Sequence, residues 1–221
     1  MTEQGEKRIG IMGGTFDPIH NAHIALGECA LRELMLDEIW FMPAGNPYFK
    51  KKRNVTSGEI RCRMTELALQ EKDRMIMSDF EQHWQGETYT ADTVTRLQEI
   101  YPFARFFFIL GSDSLYQIEH WYHPERIMKL AALAVADREY ADRPRSLREQ
   151  AEYLMEKYQA DISVLPFPEM DLSSTELRDM VRRGESIAAY VPVEVPARLP
   201  QLLHPQLQNL LRRKPAPIPQ R

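Results

Sequence analysis

The stretch that most constrains this chain is residues 9–23, which read IGIMGGTFDPIHNAH. Its apolar start predicts a strand that breaks at Gly13-Gly14, and residues 24–36 have the apolar spacing of a helix. A strand, a glycine turn and a helix start together allow backbone N–H groups to meet a phosphate. Glycine suits such a turn because it permits positive φ and lacks the Cβ that would keep a ligand from the backbone.

Two histidines, His20 and His23, stand where this helix begins, and their spacing puts both imidazoles on one face of its first turn. The helix dipole makes that end positive, which suits charged oxygens. Simpler interpretations exist, since a glycine pair can be only a turn and an i,i+3 histidine pair can be half a zinc site. The zinc interpretation lacks support because Cys29 and Cys62 form no C-x-x-C pair and no H-E-x-x-H sequence follows.

Strand-like and helix-like segments alternate along the chain, which predicts a doubly wound, mostly parallel α/β sheet. The further predicted strands are residues 38–44, 74–80, 105–110, 132–136 and 162–165. The further predicted helices are residues 91–100 behind a Thr90 cap, 124–130, about 145–158, and one that follows the capping-box spacing of residues 56–59. Ligands bind beyond the carboxyl ends of such strands, so Gly13-Gly14, Ala44-Gly45 and Gly111-Ser112 are expected to converge.

The composition limits the classes of partner. The 221 residues carry a formal net charge of −4, so no global basic field would attract nucleic acid or a membrane. Two cysteines far apart do not indicate a disulfide framework, and the polar N-terminal residues lack the apolar core of a signal peptide. These features predict a soluble, cytoplasmic protein without nucleic-acid or membrane partners, whereas they leave open whether it forms a homo-oligomer.

The last third of the chain contains a second candidate anion site. Ser173 and Glu176 have the spacing of a capping box, which predicts a helix start. The same start would expose N–H groups and the hydroxyls of Ser174 and Thr175, with Arg178 about one turn along. A small helical region is expected to follow, and residues 215–221 form a proline-rich tail.

Several segments now match one family in order. They are GGTFDPIHNAH at 13–23, NPYFK at 46–50, SDFE at 78–81, TYTADT at 88–93, FILGSDSL at 108–115, Trp121-Tyr122, SSTELR at 173–178 and YVP at 190–192. Over residues 8–195 the chain resembles the bacterial nicotinate-mononucleotide adenylyltransferases. The first motif and SSTELR are shared across the wider nucleotidyltransferase superfamily, whereas TYTADT, GSDSL and Trp121-Tyr122 favour the nicotinate branch.

The resemblance implies an architecture and a reaction. It implies a Rossmann-like nucleotidyltransferase core over residues 1–170 and a C-terminal helical subdomain over 171–214. The reaction would transfer the adenylyl group of ATP to nicotinate mononucleotide, giving deamido-NAD and pyrophosphate in NAD biosynthesis. The attack would be direct and in line, without a covalent intermediate. No set of carboxylates resembles a metal cage, so Mg²⁺ is expected to arrive with ATP.

The resemblance also assigns site residues. It implies catalytic roles for His20, His23 and Arg178. It implies ATP contacts for Gly13, Gly14, Thr15, Phe16, Gly111, Asp113, Ser173, Ser174 and Thr175. It implies acceptor contacts for Lys50, Thr90, Trp121 and Tyr122.

Some of these residues have alternative interpretations. Asp113 could line the adenosine side or the acceptor side, or it could only cap the turn after its strand. Trp121 could be an ordinary core residue, and Phe16 could be packing or a ligand wall. Asp17 is better explained as fixing the turn than as taking part in chemistry.

The chain departs from the family pattern at three places, and alternative functions stay open. Ala22 replaces a small glycine, Phe49 stands where many members carry a histidine, and residues 138–148 lack an Arg-Pro-Gly sequence. The alternative functions are adenylyl transfer to nicotinamide mononucleotide or phosphopantetheine, and nucleotide binding without catalysis.

Overall fold

The computed structural model describes residues 6–46, 55–137, 145–168, 170, 172–192 and 195. Within them a six-stranded sheet has the order β3-β2-β1-β4-β5-β6, and every neighbouring pair is parallel. The strands are β1 (Lys7–Gly14), β2 (Glu38–Pro43), β3 (Met75–Met77), β4 (Ala104–Gly111), β5 (Ala131–Ala136) and β6 (Ile162–Leu165). The predicted doubly wound parallel sheet is confirmed.

The described helices connect these strands. They are α1 (Asn21–Glu33), α2 (Gly58–Leu69), α3 (Thr90–Ile100), α4 (Ser112–Gln117), α5 (Pro124–Leu130), α6 (Leu147–Tyr158) and α7 (Ser174–Arg182). Short 3₁₀ turns occupy Phe80–His83 and Ile118–His120. Within the same residues, no helix has the length and apolar character needed to cross a membrane.

The central strands are apolar on both faces because helices cover both faces of the sheet. Along β4, Phe106 and Phe108 pack with α3, α5 and α6, whereas Phe107 and Ile109 pack with α1 and α2. Successive side chains of a strand point to opposite faces, so a strand buried on both sides becomes a continuous apolar run. This explains why RFFFIL is the clearest strand in the sequence.

Several predicted element ends were wrong. β1 continues through both glycines, because Gly13 and Gly14 pair in register with Met42 and Pro43 of β2. β3 ends at Met77 rather than at residue 80.

The caps of two helices and the existence of a third also differ from the prediction. The N-cap of α3 is Tyr89 rather than Thr90, and its side chain makes no cap hydrogen bond. Ser57, not Thr56, caps α2 by accepting from the Ile60 amide. No sequence pattern predicted α4.

The C-terminal region is described in part. Leu177 of α7, Ile187 and Val191 belong to the same buried cluster as Phe16 and Ile24. The start of α1 is also fastened to this region, since the amide of Asn21 donates to the Tyr190 carbonyl at 2.9 Å. Most of the predicted subdomain beyond residue 192, and the predicted tail at 215–221, lie outside the described residues.

The packing around Gly10 yields a stability prediction. A Cβ there would lie 2.8 Å from Ile39 Cγ1, 2.9 Å from Leu36 Cδ1 and 3.0 Å from Ile109 Cδ1, all in the core. Overpacking of this kind costs about 1–3 kcal/mol, so we expect Gly10→Ala to lower the free energy of unfolding by that amount. Gly111→Ala is the control, because its Cβ would meet no atom within 4 Å. Equal losses in the two variants, measured by denaturant unfolding, would contradict this packing argument.

Candidate active site

A cavity of about 400 Å³ opens at the carboxyl ends of β1, β2 and β4. It lies where the strand order reverses between β1 and β4, which is where doubly wound sheets bind ligands. The predicted residues that line it are Gly13, Gly14, Thr15, His23, Thr90, Gly111, Trp121 and Tyr122. The expected convergence of the loops after these strands is therefore observed.

The two predicted imidazoles meet at the start of α1. His20 is the N-cap residue, and its ring stacks on that of His23 with 3.6 Å between ring centroids. The backbone amide of His20 donates a hydrogen bond to His23 Nδ1 at 3.2 Å. Because Nδ1 accepts this bond, the proton of a neutral His23 ring resides on Nε2. His23 therefore carries its N–H donor on Nε2, while its Nδ1 accepts the bond from the His20 amide.

His20 has a different environment. Only 4% of the residue is exposed, and its Nδ1 atom has no hydrogen-bond partner among the described residues. Burial lowers the pKa of His20 to about 4, because the charged imidazolium loses its hydration. The ring is consequently neutral near pH 7, and His20 is not among the residues that line the cavity.

Phe16 packs against the His23 imidazole. Its ring is 2% exposed and meets His23 edge to face, with ring centroids 5.0 Å apart. The Phe16 backbone is in the left-handed region at φ 48°, and a Cβ on Gly14 would lie 2.8 Å from the Phe16 ring. Glycine is therefore required at position 14 so that the Phe16 ring can lie close to the backbone there. The Phe16 side chain lies in the core rather than on the cavity wall.

Hydrogen bonds join the start of α7 to the loop that leads into α1. The Ser174 hydroxyl donates to the Pro18 carbonyl at 2.9 Å, and Arg178 Nη1 donates to the Asp17 carbonyl at 2.7 Å. The hydroxyl of Thr175 accepts a second hydrogen bond from Arg178 at 3.0 Å. The two predicted anion sites, distant in sequence, thus lie side by side.

Ser173 caps α7 as predicted. Its hydroxyl accepts from the Glu176 amide at 3.2 Å. The reciprocal bond that would complete a capping box is not among the contacts of the described residues, so half of that prediction holds. The first-turn N–H groups that have no acceptor within the helix point out of its N-terminal end. Ser174 and Arg178 hold that end against the loop before α1.

An aromatic wall forms the opposite side of the cavity. Trp121 packs edge to face on Phe108, and the Tyr122 ring lies 4.6 Å from the Tyr89 ring. Trp121 is half-buried and Tyr122 is exposed, so both combine packing with an accessible ring. Trp121 thus packs on the core while it lines the cavity, and its contact with the acceptor stays a prediction.

The remaining predicted residues have different outcomes. Asp113 is exposed in the first turn of α4, whose N-cap is Gly111, and its role stays a prediction. Asp17 is buried and accepts from the Thr56 amide at 3.1 Å, which agrees with a role in fixing the turn. Lys50 lies outside the described residues.

Comparisons with known proteins identify the family of this chain. Residues 11–180 match the family model described as Cytidylyltransferase-like. The chain is 41% identical over 189 residues to a Lachnoclostridium phytofermentans protein named "Probable nicotinate-nucleotide adenylyltransferase", covering 86% of this chain and 94% of that relative. A Clostridium tetani protein of the same name is 37% identical over 186 residues, covering 84% and 92%. The chain belongs to the nicotinate-nucleotide adenylyltransferase family.

A solved structure supports the fold independently. It is the nicotinic acid mononucleotide adenylyltransferase of Plasmodium falciparum complexed with NaAD, which aligns with a TM-score of 0.70 at 23% identity. The alignment covers 89% of this chain and 97% of that structure. Membership of the adenylyltransferase family makes this chain a nucleotidyltransferase.

Two residues at this site were missed from the sequence. Arg61 is 2% exposed, and Glu81 lines the cavity while it accepts from the Gly45 amide at 3.2 Å and the Thr93 hydroxyl at 2.7 Å. Arg61 shares one face of α2 with Met64, Thr65 and Ala68, which are all buried. That spacing is the signal that could have revealed an arginine on the core side of an amphipathic helix.

The buried state of His20 yields a pH prediction. Its pKa is about 4 in the folded chain and near 6.5 when unfolded, so between these values the unfolded state binds more protons. Folding stability should therefore fall as the pH drops from 6.5 to about 4, by roughly 3 kcal/mol for this group. The variant His20→Asn retains a good N-cap residue and lacks the titration. Parallel stability–pH curves for wild type and variant over this window would contradict the assignment.

Proposed function

We propose that this chain transfers the adenylyl group of ATP to nicotinate mononucleotide, giving nicotinate adenine dinucleotide and pyrophosphate. The observation that carries the proposal is the direct attachment of the α7 start to the loop before His20, through Ser174 and Arg178. The two segments proposed to bind the phosphates therefore contact each other. The curated relatives carry the name of this activity, and they match along nearly their whole length.

The chemistry needs positioning and charge stabilisation rather than a protein nucleophile. A phosphate oxygen of the mononucleotide attacks the α-phosphorus of ATP in line. The bond from the α-phosphorus to the α–β bridging oxygen breaks, and that oxygen leaves with pyrophosphate. Charge grows on the oxygens of the α-phosphoryl group and on the leaving group, so N–H donors aimed at these oxygens accelerate the step.

We assign the phosphate contacts as follows. His20 lies nearest the α-phosphate, and His23 offers its Nε2 proton to the same group of oxygens. Supporting this, the buried Nδ1 of His20 has no partner in the described part of the chain, and the cap bond leaves Nε2 of His23 as the donor. Ser173, Ser174 and the Thr175 backbone hold the β- and γ-phosphates, and Arg178 neutralises the leaving pyrophosphate.

The acceptor occupies the aromatic side of the cavity in this proposal. The pyridine ring stacks on Trp121 or Tyr122, and the nicotinate carboxylate meets N–H groups at the start of α3 near Thr90. Lys50 is assigned to the acceptor by the family resemblance. Gly13, Gly14 and Thr15 contact the nucleotide through their backbone. Gly111 and Asp113 line the ribose side of the nucleotide.

A divalent ion accompanies the nucleotide. Nucleotidyltransferases that use ATP generally require a divalent metal. No group of three or more His, Cys, Asp or Glu side chains that could hold a metal occurs in the described parts of the chain. We propose that this ion is Mg²⁺ and that it is held mainly by the triphosphate and water, where it would neutralise charge.

The proposed reaction is tested by pyrophosphate release with three acceptors. Nicotinate mononucleotide should give the highest kcat/KM, and nicotinamide mononucleotide should be weaker because an amide replaces the carboxylate that the N–H groups favour. Phosphopantetheine should give no turnover. Turnover with phosphopantetheine and none with nicotinate mononucleotide would refute the proposal.

In the same assay we expect His20→Ala to lower kcat by roughly 10²–10³-fold or more, because a donor to the transition state is lost. Its melting temperature should remain well above the assay temperature. His83→Ala is the matched control, since this histidine is exposed and pairs with Asp79. A folded His20→Ala enzyme with the wild-type rate would refute the role given to His20.

A further inference from the structure

Arg61 is a buried cation with an unusual set of partners. Its Nε donates to the Thr56 carbonyl at 2.9 Å, and its Nη1 donates to the Thr15 carbonyl at 2.9 Å. Its Nη2 donates to the carbonyls of Ala44 and Gly45, at 2.8 and 3.4 Å. Every acceptor of this guanidinium among the described residues is therefore a main-chain carbonyl.

These carbonyls belong to different parts of the cavity rim. Thr15 follows β1 and leads into the loop that carries Asp17 and His20. Ala44 and Gly45 follow β2 on the other side. Thr15 and Ala44 both line the cavity, so one side chain fixes the distance between two of its walls.

Two carboxylates near Arg61 extend this arrangement. Asp17 accepts from the Thr56 amide, and Glu81 accepts from the Gly45 amide. Both charges oppose the effect of burial, which lowers the pKa of the guanidinium. Within the described residues, neither carboxylate forms a close ion pair with Arg61. Each carboxylate instead accepts from a backbone amide, of Thr56 for Asp17 and of Gly45 for Glu81. Arg61 donates to the carbonyl of each of these two residues.

Packing alone does not explain an arginine at this position. Burying a charge without a close partner is unfavourable, and apolar residues of similar volume commonly stabilise such positions as well or better. A planar guanidinium, however, fixes several carbonyls at a set spacing, which neither an apolar side chain nor lysine can do. The contacts thus point to a geometric role.

We propose that Arg61 is a positioning residue for adenylyl transfer. It fixes the loop after β1 relative to the loop after β2, and through them it aligns the histidines with the acceptor side of the cavity. This inference rests on the proposed function. A misplacement of about 1 Å between reacting groups can cost on the order of 10²-fold in rate, so loosening these loops should act mainly on kcat.

The test compares Arg61→Lys with wild type. Pyrophosphate release gives kcat and the KM values for ATP and nicotinate mononucleotide, and thermal unfolding gives the melting temperature. We expect kcat to fall by about 10²-fold, with both KM values within a few-fold of wild type. Leu154→Ala is the matched control: it removes a fully buried side chain on the other face of the sheet, so it should lower the melting temperature and keep kcat.

A second variant moves the loop without touching Arg61. A Cβ on Gly45 would lie 2.2 Å from the Glu81 carbonyl oxygen, so Gly45→Ala must displace the loop. We expect the same loss of kcat in a folded protein. If Arg61→Lys does not fold, this variant decides the question.

The outcomes separate this inference from the proposed function. A folded Arg61→Lys or Gly45→Ala enzyme with a wild-type kcat would overturn the positioning role alone. An equal loss of kcat in Leu154→Ala would also overturn it, because the effect would then follow general destabilisation. A wild type that releases no pyrophosphate would refute the proposed function and this inference together.

Discussion

The parallel direction of the strands is the constraint on which the rest of the structure depends. Because β1, β2 and β4 run the same way, the segments that follow them emerge at one edge of the sheet. Backbone groups from Gly13-Gly14, Ala44 and Gly111 are brought to one cavity without any long-range sequence signal. The helices on both faces bury the apolar strands and leave that edge open.

In the proposed reaction, local dipoles and N–H groups bind the phosphates, because the chain has no strong positive field. The chain as a whole has a net charge of −4, so a triphosphate gains nothing from its overall charge. His20 is neutral because it is buried, and His23 has its tautomer selected by a cap bond. The start of α7 adds N–H groups and Arg178, and Arg178 itself is held by the Asp17 carbonyl.

Much of the fold and the site could be predicted from the sequence, for physical reasons. The alternation of strands and helices predicts a parallel sheet, and a parallel sheet predicts where its loops meet. The side-by-side position of His20 and Ser174 could not be obtained from such patterns. It required the resemblance of whole motifs, because no local periodicity connects residues more than 150 positions apart.

Other features were hidden because tertiary contacts override local preference. Gly13 and Gly14 extend β1 because they pair with β2, although glycine disfavours strands. Arg61 is buried although charged side chains are usually exposed, and only its carbonyl partners explain this. Tyr89 rather than Thr90 precedes α3, so an apparently good capping residue became the first residue of the helix.

The most direct test of this account is a crystal structure of the chain with an ATP analogue that carries a methylene group between the α- and β-phosphorus atoms. The account predicts that the α-phosphate lies within hydrogen-bond distance of His20, and that the β- and γ-phosphates contact the first turn of α7 at Ser174 and Thr175. A triphosphate bound away from either of these two elements would contradict it.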